Sequence, residues 1–198
     1  MKIFISGGCK NGKSYYAQHL AHAQWAKHQT GSLYYIATMR PVDTEDDDRI
    51  ARHRREREGW GFLAIEQPVD IEKILEVTGN ENSFLLDSLT ALLANEMFMP
   101  DGKVNELAAD KIIAALLQIT KKIKNIVIVS DYIYSDAILY DPLTTQYKES
   151  LARIDRTAAE NSDVVLEIAY TNVIIHKGKE KYGNNLFNEF WSNHEKIF

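Results

Sequence analysis

The chain has 198 residues, the size of one ordinary domain and enough to bury a hydrophobic core, so we expect a single domain over residues 1–198. Hydrophobic residues make up 45% and charged residues 26%, which excludes a disordered or fibrous chain, and a net charge of -5 argues against a nucleic-acid-binding surface. No run approaches the roughly 20 apolar residues that span a bilayer, and the first apolar run is too short for a signal peptide, so we expect a cytoplasmic protein.

A glycine-rich stretch near the start joins a predicted buried strand, 2–6, to a predicted helix, 13–28. It matches the phosphate-loop pattern G-x-x-x-x-G-K-[ST] over Gly7, Gly8, Cys9, Lys10, Asn11, Gly12, Lys13 and Ser14. Its backbone N–H groups and the helix N-terminus would surround phosphates, with Lys13 on the β- and γ-phosphates and Ser14 on Mg²⁺. The stretch therefore predicts nucleoside-triphosphate binding, against the alternative of a glycine-rich turn that binds nothing.

The only cysteine of the chain, Cys9, lies within this loop. A single cysteine excludes an internal disulfide and a cysteine cluster for zinc. Its thiol would have a lowered pKa if it faced the helix N-terminus, but a small residue that simply fits the loop is the preferred interpretation.

A strongly basic helix is predicted after the second strand, 33–38, whose carboxyl end should lie beside the phosphate loop. The helix spans about 45–58, and the spacing of Arg49, His53 and Arg57 places them on one face. A histidine between two guanidinium groups suits phosphate chemistry, because arginines bind phosphate oxygens while the imidazole can act as a nucleophile. A solvated helix with its arginines neutralised by nearby acidic residues is the alternative, and spacing alone favours it.

The rest of the chain alternates strands with helices. Strands are predicted at 62–66, 83–87, 125–130, 164–169 and 173–176, and helices at 70–77, 89–99, 106–122 and 145–160. Such alternation predicts an α/β fold with a mostly parallel sheet and helices on both faces, which binds ligands beyond the carboxyl ends of its strands. Asp87 stands at one such end, where it would contact Mg²⁺ or nucleotide, or else cap the helix that follows.

In its first half the chain resembles the bifunctional adenosylcobinamide kinase/adenosylcobinamide-phosphate guanylyltransferases of cobalamin biosynthesis. The matching segments occur in the family's order: the loop Gly7–Ser14, then Tyr35-Ile36-Ala37-Thr38, Glu45, Arg49-Ile50, His53, Arg54, Arg57, Trp60, Glu66, Leu85-Leu86-Asp87-Ser88-Leu89-Thr90 and Asn95. The loop alone is unspecific, but the whole series is fairly specific to this family.

The resemblance implies a P-loop fold of the RecA type and two successive reactions. The first phosphorylates the hydroxyl of the cobinamide side chain with GTP or ATP and Mg²⁺, and the second transfers GMP from GTP through a guanylyl-histidine. It implies that His53 is the nucleophile and that Lys13 catalyses phosphoryl transfer. Nucleotide contacts carried over in the same way are Ala37, Thr38, Met39, Arg54, Arg55, Glu56, Arg57, Glu66 and Asp87. The partners implied are a corrinoid, a nucleotide and further copies of the chain, since the family forms trimers.

The second half departs from the family pattern. Where the family has Asn-Glu-Val-Gly after the strand that ends at Val129, this chain has Ser130-Asp131-Tyr132-Ile133-Tyr134, and an aromatic tail over 177–198 extends its end. The tail would pack on its own domain or on a neighbouring subunit. Two other functions therefore stay open: a P-loop kinase or nucleotidyltransferase for another small hydroxyl compound, and a non-catalytic nucleotide-binding regulatory protein.

Overall fold

The computed structural model describes residues 1–180 except 29–30, 78, 80, 135 and 171, and describes only the backbone at 28, 45–47, 49 and 56. Most of the predicted aromatic tail, 181–198, lies outside this part of the chain. The strands are β1 (Lys2–Gly7), β2 (Leu33–Ala37), β3 (Phe62–Glu66), β4 (Ser83–Asp87), β5 (Asn125–Asp131), β6 (Val164–Ala169) and β7 (Asn172–Lys177). The helices are α1 (Lys13–His28), α2 (Thr44–Glu56), α3 (Leu89–Met97), α4 (Ala108–Lys122) and α5 (Pro142–Glu160), with a 3₁₀ helix at Ile71–Val77.

The seven strands form one sheet in the order β3-β2-β4-β5-β1-β6-β7. All neighbouring strands run parallel except β7, which pairs antiparallel with β6 at the edge. The predicted mostly parallel α/β fold is confirmed. Because β1, β5, β4 and β2 follow one another across the sheet in parallel, the phosphate loop after β1 and the residues that end β5, β4 and β2 share one edge. The prediction that the end of β2 lies directly beside the loop is wrong, because β4 and β5 stand between β2 and β1.

The pleat of the strands directs alternate side chains into two cores, one on each face of the sheet. Ile3 and Ile5 of β1 pack with α1 residues such as Leu20, whereas Phe4 faces the opposite core with residues of α3, α4 and α5. Complete burial of one such aliphatic side chain contributes about 1.5–3 kcal/mol before entropy costs. Helices therefore cover both faces, as the continuous apolar runs of the central strands require.

The ends of several helices differ from the sequence-based boundaries, each for a local reason. α3 ends at Met97 rather than 99, because Phe98 turns extended and forms an antiparallel bridge with Val104. α5 begins at Pro142 rather than 145, because Asp141 caps it by accepting from the N–H groups of Leu143 and Thr144, both at 3.0 Å. Within the described residues no helix combines the length and apolarity needed to cross a bilayer.

Candidate functional site

The phosphate loop connects β1 directly to α1, and its lysine faces back over the loop. Lys13 is 6% exposed, donates from Nζ to the carbonyl oxygen of Gly8 at 2.6 Å and forms an ion pair with Asp131 at 2.5 Å. Gly7 must be glycine, because a Cβ there would collide with the carbonyl oxygen of Ile168 on β6. Close backbone packing and a buried lysine thus fix the loop at the carboxyl edge of the sheet.

A cavity of about 650 Å³ lies between α2 and the ends of β2, β3, β4 and β5. This volume is in the range of small-molecule sites, roughly 300–1,000 Å³. Eight of the predicted site residues line it: Ala37, Met39, His53, Arg54, Arg55, Arg57, Glu66 and Asp87. Asp131 also lines it and is the link to the phosphate loop through its ion pair with Lys13.

Two of the contacts predicted from the family resemblance, Thr38 and Glu56, are not among the described residues that line the cavity. Thr38 is fully buried, and its hydroxyl donates to the carbonyl oxygen of Ser88 at 2.8 Å while accepting from the Ser88 N–H at 2.7 Å. Thr38 therefore holds the ends of β2 and β4 together and does not face the cavity. Glu56 is the last residue of α2, and its side chain, like that of Arg49, lies outside the described atoms.

The basic residues of α2 and Arg57, which directly follows it, differ in their surroundings; the helix ends at Glu56 and not at 58 as predicted. Arg54 pairs with Glu66 at 3.0 Å, but both side chains are more than 60% exposed, so this pair contributes little to stability. Arg57 is buried, and its guanidinium lies 3.5 Å from the centre of the Tyr35 ring. The Tyr35 hydroxyl in turn donates to Oδ2 of Asp87 at 3.1 Å. Burial, and then the Asp87 carboxylate, raise the pKa of Tyr35 far above its usual value, so the hydroxyl stays protonated.

The family model for CobU, cobinamide kinase / cobinamide phosphate guanyltransferase, matches residues 3–172. The chain belongs to this family. A curated relative is the bifunctional adenosylcobalamin biosynthesis protein CobU of Escherichia coli strain K12, which is 30% identical over 100 residues. That alignment covers 50% of this chain and 51% of the relative, so the chain matches about half the length of the curated relative.

Two solved structures are also similar to the chain. The first is the flagellar accessory protein FlaH of Methanocaldococcus jannaschii, with 18% identity and a TM-score of 0.48; the match covers 88% of this chain and 77% of that one. The second is the KaiC-like protein PH0186 of Pyrococcus horikoshii OT3. The second has 11% identity, TM-score 0.48 and coverage of 89% and 78%. At these scores the fold assignment depends on the strand order and the phosphate loop described above.

The residues present suit the Mg²⁺ that the family's nucleotide substrates imply. Mg²⁺ is held in proteins by one or two carboxylates or hydroxyls together with phosphate oxygens. Asp87 supplies a carboxylate to the cavity, and Ser14 follows Lys13 in the first turn of α1. Asp87 is also not the cap of α3, because Ser88 occupies that position and its hydroxyl accepts from the Ala91 N–H at 3.4 Å. The capping alternative for Asp87 is therefore wrong, and its carboxylate remains directed to the cavity.

Sequence reasoning missed several cavity residues. Tyr147 of α5 lines the cavity and donates to the carbonyl oxygen of Thr90 at 2.9 Å, and burial raises its pKa to about 12. The Thr90 hydroxyl accepts from the N–H of Asp131 at 2.8 Å. Asp131 could have been found from the sequence, because it follows the predicted strand 125–130 and so, like Asp87, stands at the carboxyl edge of the sheet where ligands bind. Nothing in the sequence pattern distinguishes Tyr147 from a surface tyrosine.

Asn95 of α3 fixes the rim of the cavity. Its Nδ2 donates to the carbonyl oxygens of Thr38 at 2.7 Å and Pro68 at 3.1 Å, which joins the segments that follow β2 and β3. We expect Asn95→Ala to lower the free energy of unfolding by about 1–3 kcal/mol, because it leaves partly buried carbonyl oxygens unpaired. Urea denaturation measures the change. Gln118→Ala, which removes an exposed amide on α4, should stay within about 0.5 kcal/mol, and an equal effect of the two substitutions would contradict the role of Asn95.

Proposed function

We propose that the protein phosphorylates adenosylcobinamide and then transfers GMP from GTP to the new phosphate through a guanylyl-histidine at His53, in cobalamin biosynthesis. One observation carries the proposal. His53 and Asp131 line a single cavity, and Asp131 is ion-paired with the phosphate-loop lysine, Lys13. The loop residues Gly7–Ser14 do not line the cavity themselves, and Asp131 is the residue that connects the loop to it. This connection between two phosphate-handling elements supports two successive transfers on one acceptor. Membership of the family supports the same pair of reactions.

The first transfer would depend on the phosphate loop. The acceptor hydroxyl oxygen bonds to the γ-phosphorus while the bond from that phosphorus to the β–γ bridging oxygen breaks, and a nucleoside diphosphate and a proton leave. Lys13 stabilises charge on the transferring group, and the N–H groups of Gly7–Ser14 orient the phosphates. Mg²⁺, when bound by Ser14 and Asp87, supplies further neutralisation of phosphate charge.

The second transfer would depend on α2. A ring nitrogen of His53 bonds to the α-phosphorus of GTP as the bond to the α–β bridging oxygen breaks and pyrophosphate leaves. A phosphate oxygen of the acceptor then bonds to the same phosphorus, and the histidine is released. Arg54, Arg55 and Arg57 line the cavity beside His53 and would neutralise the phosphates in both steps.

The test uses GTP labelled at its α-phosphate, with Mg²⁺ and without acceptor. We expect acid-labile, base-stable label on the wild-type protein and none on His53→Ala, because only a phosphorus–nitrogen bond has that stability. His176→Ala, an exposed histidine of β7, is the matched control and should label as the wild type does.

Absence of label on the wild type at saturating GTP would overturn the guanylyl-histidine. An assay of cobinamide turnover with GTP then distinguishes the remaining candidate functions. Phosphorylated cobinamide without label indicates a kinase alone, and nucleotide binding without product indicates a regulatory protein or a different hydroxyl acceptor.

We further propose that the protein is a homo-oligomer, a trimer by its family resemblance, that it acts in the cytoplasm, and that GTP or ATP is its phosphoryl donor. Sedimentation equilibrium of the full chain measures the oligomeric state. A monomer throughout the micromolar range would contradict the trimer.

A further inference from the structure

Tyr35 lies between two oppositely charged cavity residues and contacts both. It is 6% exposed on β2, with the guanidinium of Arg57 on its ring at 3.5 Å and its hydroxyl donating to Asp87 at 3.1 Å. The register of the sheet explains the second contact, because Asp87 lies opposite Ala37, the next residue of β2 that points to the same face. A neutral ring thus separates a cationic group from an anionic one.

One guanidinium nitrogen of Arg57 has no hydrogen-bond partner among the residues that the structure describes. The residue is 9% exposed and lines the cavity, and the nitrogen is its buried Nη1. A buried N–H of a guanidinium is costly unless an acceptor meets it, and phosphate oxygens are the acceptors that suit its geometry best. The orphan nitrogen therefore indicates where an anionic oxygen of a ligand would lie.

We propose that Tyr35 is a positioning residue that keeps Arg57 and Asp87 apart. Arg57 is then available to a phosphate of the nucleotide, and Asp87 is available to the Mg²⁺ that binds with it. The inference rests on the proposed function, since it assigns both groups to the same nucleotide. Without the ring, Arg57 and Asp87 would be free to pair with each other, and each would be lost to the ligand. If the ring stays and only the hydroxyl is removed, Arg57 keeps its contact with the ring, and only the hydrogen bond that orients Asp87 is lost.

The two parts of the tyrosine are tested by two substitutions. Tyr35→Leu removes the ring and is expected to weaken GTP binding without Mg²⁺ about ten-fold, which corresponds to about 1.4 kcal/mol. Tyr35→Phe keeps the ring and should change that affinity by less than about two-fold, but it should raise the Mg²⁺ concentration for half-maximal GTP binding several-fold. Guanosine, which has no phosphate, should bind both variants as it binds the wild type.

Tyr34→Phe is the matched control, because Tyr34 precedes Tyr35 on β2 and stacks on Phe84 in the opposite core. It should change none of these values. In an Arg57→Gln background, Tyr35→Leu should produce no further loss of GTP affinity, which a general structural defect would not reproduce. Titration calorimetry measures all the affinities, and thermal melting shows which variants are folded.

Equal behaviour of the Phe and Leu variants, or equal loss of guanosine and GTP in the Leu variant, would overturn the role of Tyr35. If Tyr35→Leu does not fold, the Phe variant alone decides, because an unchanged Mg²⁺ requirement would contradict the proposal. A wild-type protein that binds no GTP would overturn the proposed function itself, whereas failure confined to the variants overturns only the positioning role.

Discussion

Lys13→Ala is expected to lower the rate of cobinamide phosphorylation by about 10³-fold or more, the size of effect seen when a group that stabilises a transferring phosphoryl is removed. Lys13 is the phosphate-loop lysine, and its Nζ already lies at the carboxyl edge of the sheet, between the Gly8 carbonyl oxygen and Asp131. In the nucleotide complex its charge would move from these partners to the β- and γ-phosphates. Single-turnover formation of phosphorylated cobinamide measures the loss.

The same substitution leaves Asp131 without its cation, so the loss of rate needs a control for damage to the loop. Lys13→Ala combined with Asp131→Asn removes both charges and should restore the thermal stability but not the rate. Lys27→Ala, an exposed lysine near the end of the same helix, should behave as the wild type does. Near-wild-type phosphorylation by the Lys13 variant would defeat the phosphate-loop assignment.

The fold was predictable where local patterns determine it. The strand β1, its glycine-rich loop and α1 are contiguous in sequence, so their local pattern predicts them together. Apolar runs such as 125–130 predict buried central strands without any knowledge of which strands pair with them. The order of the strands in the sheet was not predictable in this way, because it depends on pairings between distant segments such as β1 with β5 and β6. Boundaries at α3 and α5 were missed because side-chain caps and one backbone bridge, rather than apolar periodicity, decide them.

The site was predictable to the extent that its residues carry a motif. Lys13 follows from the phosphate-loop pattern, and His53 with its arginines follows from the family resemblance; the structure places His53 at one cavity with Asp131, the partner of Lys13. Thr38 belongs to the same motif series, yet it holds two strands together, because a matching segment includes residues that shape the backbone as well as residues that face a ligand. Tyr35 shows the reverse. Its contact with Asp87 comes from strand register, and its contact with Arg57 depends on how the segment after α2 lies on the sheet, which no spacing in the sequence reveals.

Asp155 of α5 gives the largest expected effect on stability. Its carboxyl is 3% exposed, and its Oδ2 accepts from the Tyr134 hydroxyl at 3.0 Å. Burial is the main cause that raises its pKa to about 7, and Asp131 adds to the rise, while the hydroxyls of Ser130 and Tyr134 oppose it. The folded protein therefore holds a proton on Asp155 over a pH range in which the unfolded chain has released it.

The sign of the pH dependence follows from that difference in bound protons. Below about pH 4 both states are protonated at Asp155, and the raised pKa contributes its full stabilisation; between about pH 4 and 7 only the folded state keeps the proton, so stability falls as the pH rises. Asp155→Asn keeps the shape of the side chain and stays neutral at every pH, so its stability does not fall with rising pH through this position. The wild type should therefore lose up to about 4 kcal/mol relative to this variant between pH 4 and pH 8, from about three pKa units at 1.36 kcal/mol each.

Urea denaturation of both proteins at a series of pH values measures this difference, in which the titration of all other groups cancels. Asp110→Asn, at an exposed carboxylate that pairs with Arg153 at the surface of α4, should run parallel to the wild type across the whole series. A difference between the wild type and Asp155→Asn that is flat from pH 4 to 8 would show that Asp155 is ionised inside the folded protein. Its buried carboxylate would then need a compensating cation, and Asp155 would act on Asp131 as a fixed negative charge instead of as a neutral hydrogen-bonding group.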